Sequence, residues 1–371
     1  MILVNYPGSY TYIYAPLRHA AWSGLTPTDL VFPFFMFIMG ISMYFSLYKS
    51  NFVLSIPVAK KIVKRTLILI LLGISLEWFS WFCYYWTIAS ANLSFIKNVM
   101  ASIIDCWSLR LSGVLQRLAI SYGVAAFWVF LIRHRFIPYL IGGLLTVYTI
   151  ILWCGNGFAY DETNILSWVD YKVLTANHMY GDHGIDPEGV LSTLPSIAHV
   201  LLGFWIGHYL INKDFKISLQ LLLQSQMLTL FMWGVVFTFS GFLLSYGCPI
   251  NKKIWSPTFV LVSCGMGCSL LALLLWLVDM KGYRKGCLFF ESFGVNPLFC
   301  YVTASALAIV CATPFFSFQG KPICIRNVFY EQVLQPVFGN YGGSFLYAIG
   351  FVLLNWCIGY LLYRRRIFIK L

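Results

Sequence analysis

The residues best equipped for chemistry sit at the edges of long apolar runs. The first is His19, which follows Arg18 in the aromatic stretch 5–33 just before an apolar run begins. An imidazole there titrates near neutral pH and can act as a base or a nucleophile; the other reading is an ordinary surface histidine. In the same stretch Thr26, Pro27 and Asp29 have the spacing of a helix start. Thr26 suits the N-cap, Pro27 the first helical position, and Asp29 completes a capping box, so capping competes with catalysis for that carboxylate. Gln116 and Arg117 fall early in another apolar run. An ionisable group at that depth is costly and needs a partner; it is either functional or snorkels to the interface.

Further along, 178–189 carries His178, Asp182, His183, Asp186 and Glu188. A metal would need these ligands to converge. Asp186-Pro187-Glu188 reads more simply as a helix start, and no metal is expected. Glu77, alone in its apolar run, is either a relay group or a paired charge inside the bundle. His199 and His208 share one run nine residues apart, which places them on offset faces of a helix. His134 groups with the basic loop around Arg133 and Arg135.

These residues must be held by membrane helices. The 371-residue chain is 60% hydrophobic and only 10% charged. Soluble domains carry about 25% charged residues, so this composition cannot clothe a water-facing surface. Apolar runs of about 20 residues recur, each long enough for a hydrocarbon core of about 30 Å. The runs are continuous rather than alternating, which selects helices over a barrel. The expected fold is all-α: a polytopic transmembrane bundle of about nine helices forming one domain over 1–371. The spans read as 29–47, 66–84, 112–132, 136–154, 190–211, 226–246, 257–279, 290–312 and 343–362. Gly203 and Gly207 have the spacing of a close helix–helix contact, as do the small residues around Cys264 and Cys268. The segment 93–104 reads as a short interfacial helix.

The net charge of +12 does not point to nucleic acid, because the basic residues are scattered through short loops. Lys49, Lys60, Lys61, Lys64, Arg65, Arg133, Arg135, Lys213, Lys216, Lys281, Arg284, Lys285, Arg364, Arg365, Arg366 and Lys370 make up most of the 25 basic residues. All lie on one side of a nine-span arrangement. That side, with the C-terminus, is then cytoplasmic, and the longer acidic and aromatic loops with His19 face the opposite side. Tyr6, Tyr10, Tyr12, Tyr14 and Trp22 fit an interfacial aromatic belt, with sugar stacking as the other reading. The 11 cysteines contain no CxxC pair. Cys106, Cys248 and Cys324 fall in outer loops, where no spacing rule supports a disulfide. The opening Met1-Ile2-Leu3-Val4-Asn5 reads as the end of an outgoing helix, so a tenth helix is expected upstream.

The run from Asn5 to Gly40 resembles the heparan-α-glucosaminide N-acetyltransferase family and its bacterial relatives. The resemblance continues in order through Gly113-Val114-Leu115-Gln116-Arg117-Leu118, Asp186-Pro187-Glu188-Gly189 and Pro249-Ile250-Asn251-Lys252-Lys253-Ile254-Trp255-Ser256. It closes with Gly294-Val295-Asn296-Pro297-Leu298-Phe299-Cys300-Tyr301-Val302. The resemblance implies transfer of an acetyl group from cytosolic acetyl-CoA to an amino sugar across the membrane. It implies an inner-membrane, multi-pass protein with the His19 loop periplasmic. It makes His19 the active residue with Asn5 nearby, and Asp29 is carried with them as a catalytic candidate. Arg18, Trp22, Gln116, Arg117, Asn251, Lys252, Lys253, Trp255 and Asn296 are the expected substrate and cofactor contacts. The family's opening cytoplasmic Ser-Leu-Asp…Arg-Gly-like motif is missing here. A homodimer is expected. A glycan transporter or an inactive membrane partner are the competing readings; the first would favour midplane charge pairs or inverted repeats.

Overall fold

The structure is a computed structural model describing residues 1–89, 96–97, 99–100, 109–180, 183–211, 218–318 and 321–369. Most of the interfacial helix expected over 93–104 lies outside these residues. The protein is an all-α membrane bundle. Among the described residues the only sheet is a two-stranded antiparallel hairpin, Phe316–Phe318 with Lys321–Ile323.

In chain order the helices are α1 (Ile2–Asn5), α2 (Val31–Tyr48), α3 (Ile56–Ala89), α4 (Val114–Leu131), α5 (Ile137–Cys154) and α6 (Ile165–Leu174). They continue with α7 (Thr193–Tyr209), α8 (Leu219–Leu244), α9 (Pro257–Leu274), α10 (Cys287–Val295), α11 (Pro297–Ala312) and α12 (Gln335–Arg364). Among the described residues seven helical segments are long and apolar enough to cross a membrane, and eight if α10 and α11 form one span. The expected count of nine requires α7 as well, whose 17 residues reach only about 26 Å. The span expected at 290–312 is broken: α10 and α11 meet at 87° across Asn296. Pro297 has no amide hydrogen to continue the ladder and pushes Asn296 out of the helical region, to φ −127°. Lys60, Lys61, Lys64 and Arg65, expected in a loop, lie within the first turns of α3, which begins at Ile56.

The described chain forms two compact units. One comprises Ala20–Leu71 and Arg110–Tyr283. Its centre is α7, which is mostly buried and packs on α2, α4, α5 and α9. Glycines make the closest crossing. A Cβ on Gly40 would stand 2.7 Å from the Phe204 nitrogen, and one on Gly203 would meet the Phe37 carbonyl oxygen. Gly207 backs onto Tyr44, so the Gly203/Gly207 spacing marks a real helix contact. Ser256 caps α9 by accepting from the Phe259 amide at 3.3 Å, with Pro257 at the first helical position.

The other unit comprises Met1–His19, Leu72–Leu109 and Arg284–Leu371. Here α12 carries α1, α10 and α11, and bends at Gly339, whose φ of +71° suits glycine. On the first unit, large side chains such as Leu131, Tyr139, Phe239 and Leu243 point outward, as a lipid-facing surface requires.

Candidate active site

The helix start anticipated at Thr26 is present, as a 3₁₀ turn over Pro27–Leu30 leading into α2. Asp29 is 1% exposed, and its Oδ2 accepts from the Thr26 amide at 3.1 Å and the Thr26 hydroxyl at 2.9 Å. The same oxygen accepts from the Ala20 amide at 3.2 Å. Its Oδ1 faces the Lys252 ammonium at 3.6 Å. The carboxylate therefore caps a helix and also fixes the backbone immediately after His19. Gly24, at φ +126°, donates its amide to the Ile250 carbonyl at 2.8 Å, pinning the loop to the 250–256 turn. Trp22 donates to the Phe158 carbonyl at 2.9 Å and stacks on Tyr160, 4.5 Å between centroids. Tyr160 in turn accepts from Lys253 Nζ at 2.7 Å and carries His183 at 4.4 Å.

The 250–256 turn is built by Asn251, which is 1% exposed. Its Oδ1 accepts from the amides of Lys253 at 2.8 Å and Ile254 at 3.3 Å. Trp255 is buried at φ +52°, an unusual conformation for a bulky residue. Its ring packs edge-on against Phe32 and Phe259 and lies near His199. Lys252 is partly buried; desolvation lowers its ammonium pKa, with Asp29 and Glu188 offsetting part of the effect.

Arg117 does not snorkel. It is 1% exposed, lies 5.1 Å over the Trp255 ring, and donates through Nη2 to the Gly189 carbonyl at 3.2 Å and to the Ser192 hydroxyl. Gln116 beside it is nearly buried, its Oε1 lying against Gly113.

The acidic stretch is a correction to the sequence reading. Asp186-Pro187-Glu188 is not a helix start, since α7 begins only at Thr193. Asp186 is instead fully buried as the centre of a loop. It accepts from Arg110 Nη2 at 2.6 Å, Ser112 Oγ at 2.5 Å, the Tyr180 amide at 3.0 Å and the Glu188 amide at 2.9 Å. Arg110 also pairs with Glu188 at 2.6 Å and stacks over Tyr180. Burial alone would raise the Asp186 pKa, but the Arg110 bond and charge, with Ser112, hold it below the usual carboxylate range. Arg110 itself is desolvated, yet its two acidic partners raise its pKa. Nearby, Asp170 on α6 accepts from the Val190 amide at 2.7 Å. A side chain at Gly189 would strike that carboxylate. Desolvation first, then the Asp186 charge, push the Asp170 pKa up to about 6.

In the other unit His19 and Arg18 are exposed, and Arg18 donates to the Thr11 carbonyl at 3.2 Å. The preceding segment is stitched to α12: Gly8 donates its amide to the Ser344 carbonyl at 3.2 Å, and Ser9 its amide to the Ser344 hydroxyl at 3.0 Å. Tyr6 reaches Ser305 on α11 at 2.9 Å. Asn5, half-buried at the end of α1, accepts at its carbonyl from Tyr10 at 3.3 Å. Asn296 is buried at the α10–α11 bend. It donates to the Ile367 carbonyl and accepts from the Ile369 amide, both at 2.8 Å. Ser344 and Arg364 are about 30 Å apart along α12, so Asn296 does not gather with the first loop. Cys248 and Cys324 are free thiols, and Cys106 and Asp182 lie outside the described residues.

One polar centre thus gathers Trp22, Asp29, Arg117, Asn251, Lys252, Lys253 and Trp255. Arg110, Ser112, Tyr160 and Asp170 complete it and were missed in the sequence. An arginine just ahead of an apolar run was the available signal for Arg110.

No family model matches the chain. Over its whole length it is 26% identical to the mouse protein named heparan-alpha-glucosaminide N-acetyltransferase and 27% identical to the human protein of that name. The chain spans 58% of the length of each. This similarity covers every block that carries the candidate residues. The chain is a distant relative of the heparan-alpha-glucosaminide N-acetyltransferases.

Proposed function

We propose that the protein is a membrane-embedded acetyltransferase that takes an acetyl group from acetyl-CoA and transfers it to the amine of an amino sugar. The observation that carries this reading is the similarity to N-acetyltransferases along the entire chain. The convergence of several matched polar residues on one buried centre supports it. The donor nucleotide approaches from the side of the basic loops, and the acceptor from the side of the His19 loop, periplasmic in an inner membrane. Acetyl-CoA is too large and charged to cross a bilayer, so the thioester must be presented to the acceptor within the bundle.

His19 is the acting residue. In one route its imidazole nitrogen attacks the acetyl carbon, the C–S bond breaks, and CoA leaves as the thiol after taking a proton. The sugar amine then attacks the acetyl-imidazole and releases His19. In the other route His19 removes a proton from the sugar ammonium, and the free amine attacks the thioester directly. Both give the same products, an N-acetyl sugar and CoA with a free thiol. Asn5 and Asp29 orient the reacting loop, while Lys252 and Lys253 place positive charge at the rim of the polar centre. Acetyl transfer to glucosamine by wild type, lost in His19→Ala, tests the assignment. Folded protein that leaves the thioester intact would favour a transporter instead.

A further inference from the structure

The polar centre holds a set of donors that the fold itself leaves unused. Arg117, Asn251 and Trp255 are each about 1% exposed. Among the described residues, Arg117 Nε and Nη1, Asn251 Nδ2 and Trp255 Nε1 have no hydrogen-bond partner. Native proteins pair nearly all buried N–H groups, and an orphaned one is a rare and destabilising feature. Here four occur together. The guanidinium lies 5.1 Å over the Trp255 ring, and Asn251 and Trp255 belong to the same turn. Trp255 is moreover held at φ +52°, the kind of backbone strain that collects where function over-determines geometry.

We infer that Arg117, Asn251 and Trp255 form a donor site for an acyl oxygen, the carbonyl oxygen of the acetyl thioester. The site rests on the acetyltransferase reading above. Its chemistry follows from the donor set: one permanent cation and two neutral N–H groups, all withdrawn from water, suit an oxygen that gains negative charge. The attacking nitrogen bonds to the acetyl carbon, and the carbonyl π pair moves onto oxygen. That pair returns as the C–S bond breaks, and the departing thiolate takes up the proton lost by nitrogen. Donors fixed beforehand by helix packing stabilise this intermediate without reorganising. The hydrogen bonds already made hold the donors in place: Arg117 Nη2 on Gly189 and Ser192, and Asn251 Oδ1 on Lys253 and Ile254.

The test uses the full chain in lipid nanodiscs, with acetyl-CoA and glucosamine. Trp255→Phe deletes one N–H and keeps the ring under Arg117. Asn251→Ser deletes Nδ2 while leaving an oxygen near the Lys253 amide. Loss of one such donor lowers kcat by about 100-fold, with KM for acetyl-CoA little changed and Tm equal to or above wild type. A merely structural role would lower Tm without this selective loss of kcat. Wild-type turnover with both variants within twofold of it would overturn the inference and leave the acetyltransferase reading intact. Failure of both variants to fold would also overturn it, marking the donors as structural. No turnover by wild type would count against the enzyme reading, and the donor site would fall with it.

Discussion

The Oδ2 atom of Asp29 accepts a hydrogen bond from the Ala20 amide at 3.2 Å, and that amide belongs to the peptide bond leaving His19. One carboxylate thereby ties the backbone of the first loop to the start of α2. Thr26→Ala removes only the capping hydroxyl and should cost about 1 kcal/mol of stability with transfer nearly unchanged. Asp29→Ala also frees the Ala20 amide and removes the carboxylate that faces the Lys252 ammonium at 3.6 Å, so acetyl transfer should fall by at least tenfold. Equal activities in the two variants, measured at matched folded fraction, would show that Asp29 is a cap alone.

Arg110 faces two carboxylates, Asp186 and Glu188, each at 2.6 Å. Arg110→Met removes the guanidinium from a fully buried Asp186, which keeps Ser112 and two amides as donors, and should cost about 3 kcal/mol, the lower part of the range for breaking a buried pair, because Arg110 is itself partly exposed. The folded pKa of Asp186 is depressed. Its contribution to stability is therefore complete above the ordinary carboxylate range and is lost as pH falls through the folded value. Thermal unfolding of wild type and Arg110→Met should converge in strongly acidic buffer and differ at neutral pH.

Asp170 has the opposite sign. Its folded pKa is raised to about 6, so the folded state holds its proton more tightly than the unfolded chain. Stability falls as pH rises from about 4 through 6 and stays lower above it. Asp170→Asn retains an acceptor for the Val190 amide without the charge. Its Tm relative to wild type should be higher at pH 7.5 than at pH 5; a difference independent of pH would contradict the assignment.

Gly40 and Gly203 set how closely α2 and α7 approach. Neither can carry a Cβ, because backbone atoms of the other helix occupy the space. Gly203→Val should abolish folding or lower Tm by more than 10 °C, whereas Gly142→Val, on the open face of α5, should be tolerated. Detergent-solubilised unfolding curves make this comparison directly.

Much of this was legible in the sequence, and for identifiable reasons. Continuous apolar runs give helices, and Thr26-Pro27-Thr28-Asp29 gives a helix start here because its cap bonds are local to the turn. Gly203 and Gly207 announced a close contact because small residues four apart have few other uses in a membrane helix. What failed depends on distant partners. Asp186-Pro187-Glu188 has the grammar of a helix N-terminus, but Arg110 and Ser112, more than 70 positions earlier, claim the carboxylate and hold it in a loop. Arg117 carried a real ambiguity, since only the positions of Trp255 and Ser192 decide whether its guanidinium is buried or reaches water. The bend at Asn296 was not read from the sequence, because the apolar runs on both sides of Asn296-Pro297 made one continuous span.

The central claim is best tested by acetyl-CoA turnover with glucosamine as acceptor, comparing purified wild type with His19→Ala, both shown to be folded. The account predicts N-acetylglucosamine and free CoA thiol from wild type and no product above background from His19→Ala. Undiminished turnover in His19→Ala, or an intact thioester with folded wild type, would contradict it.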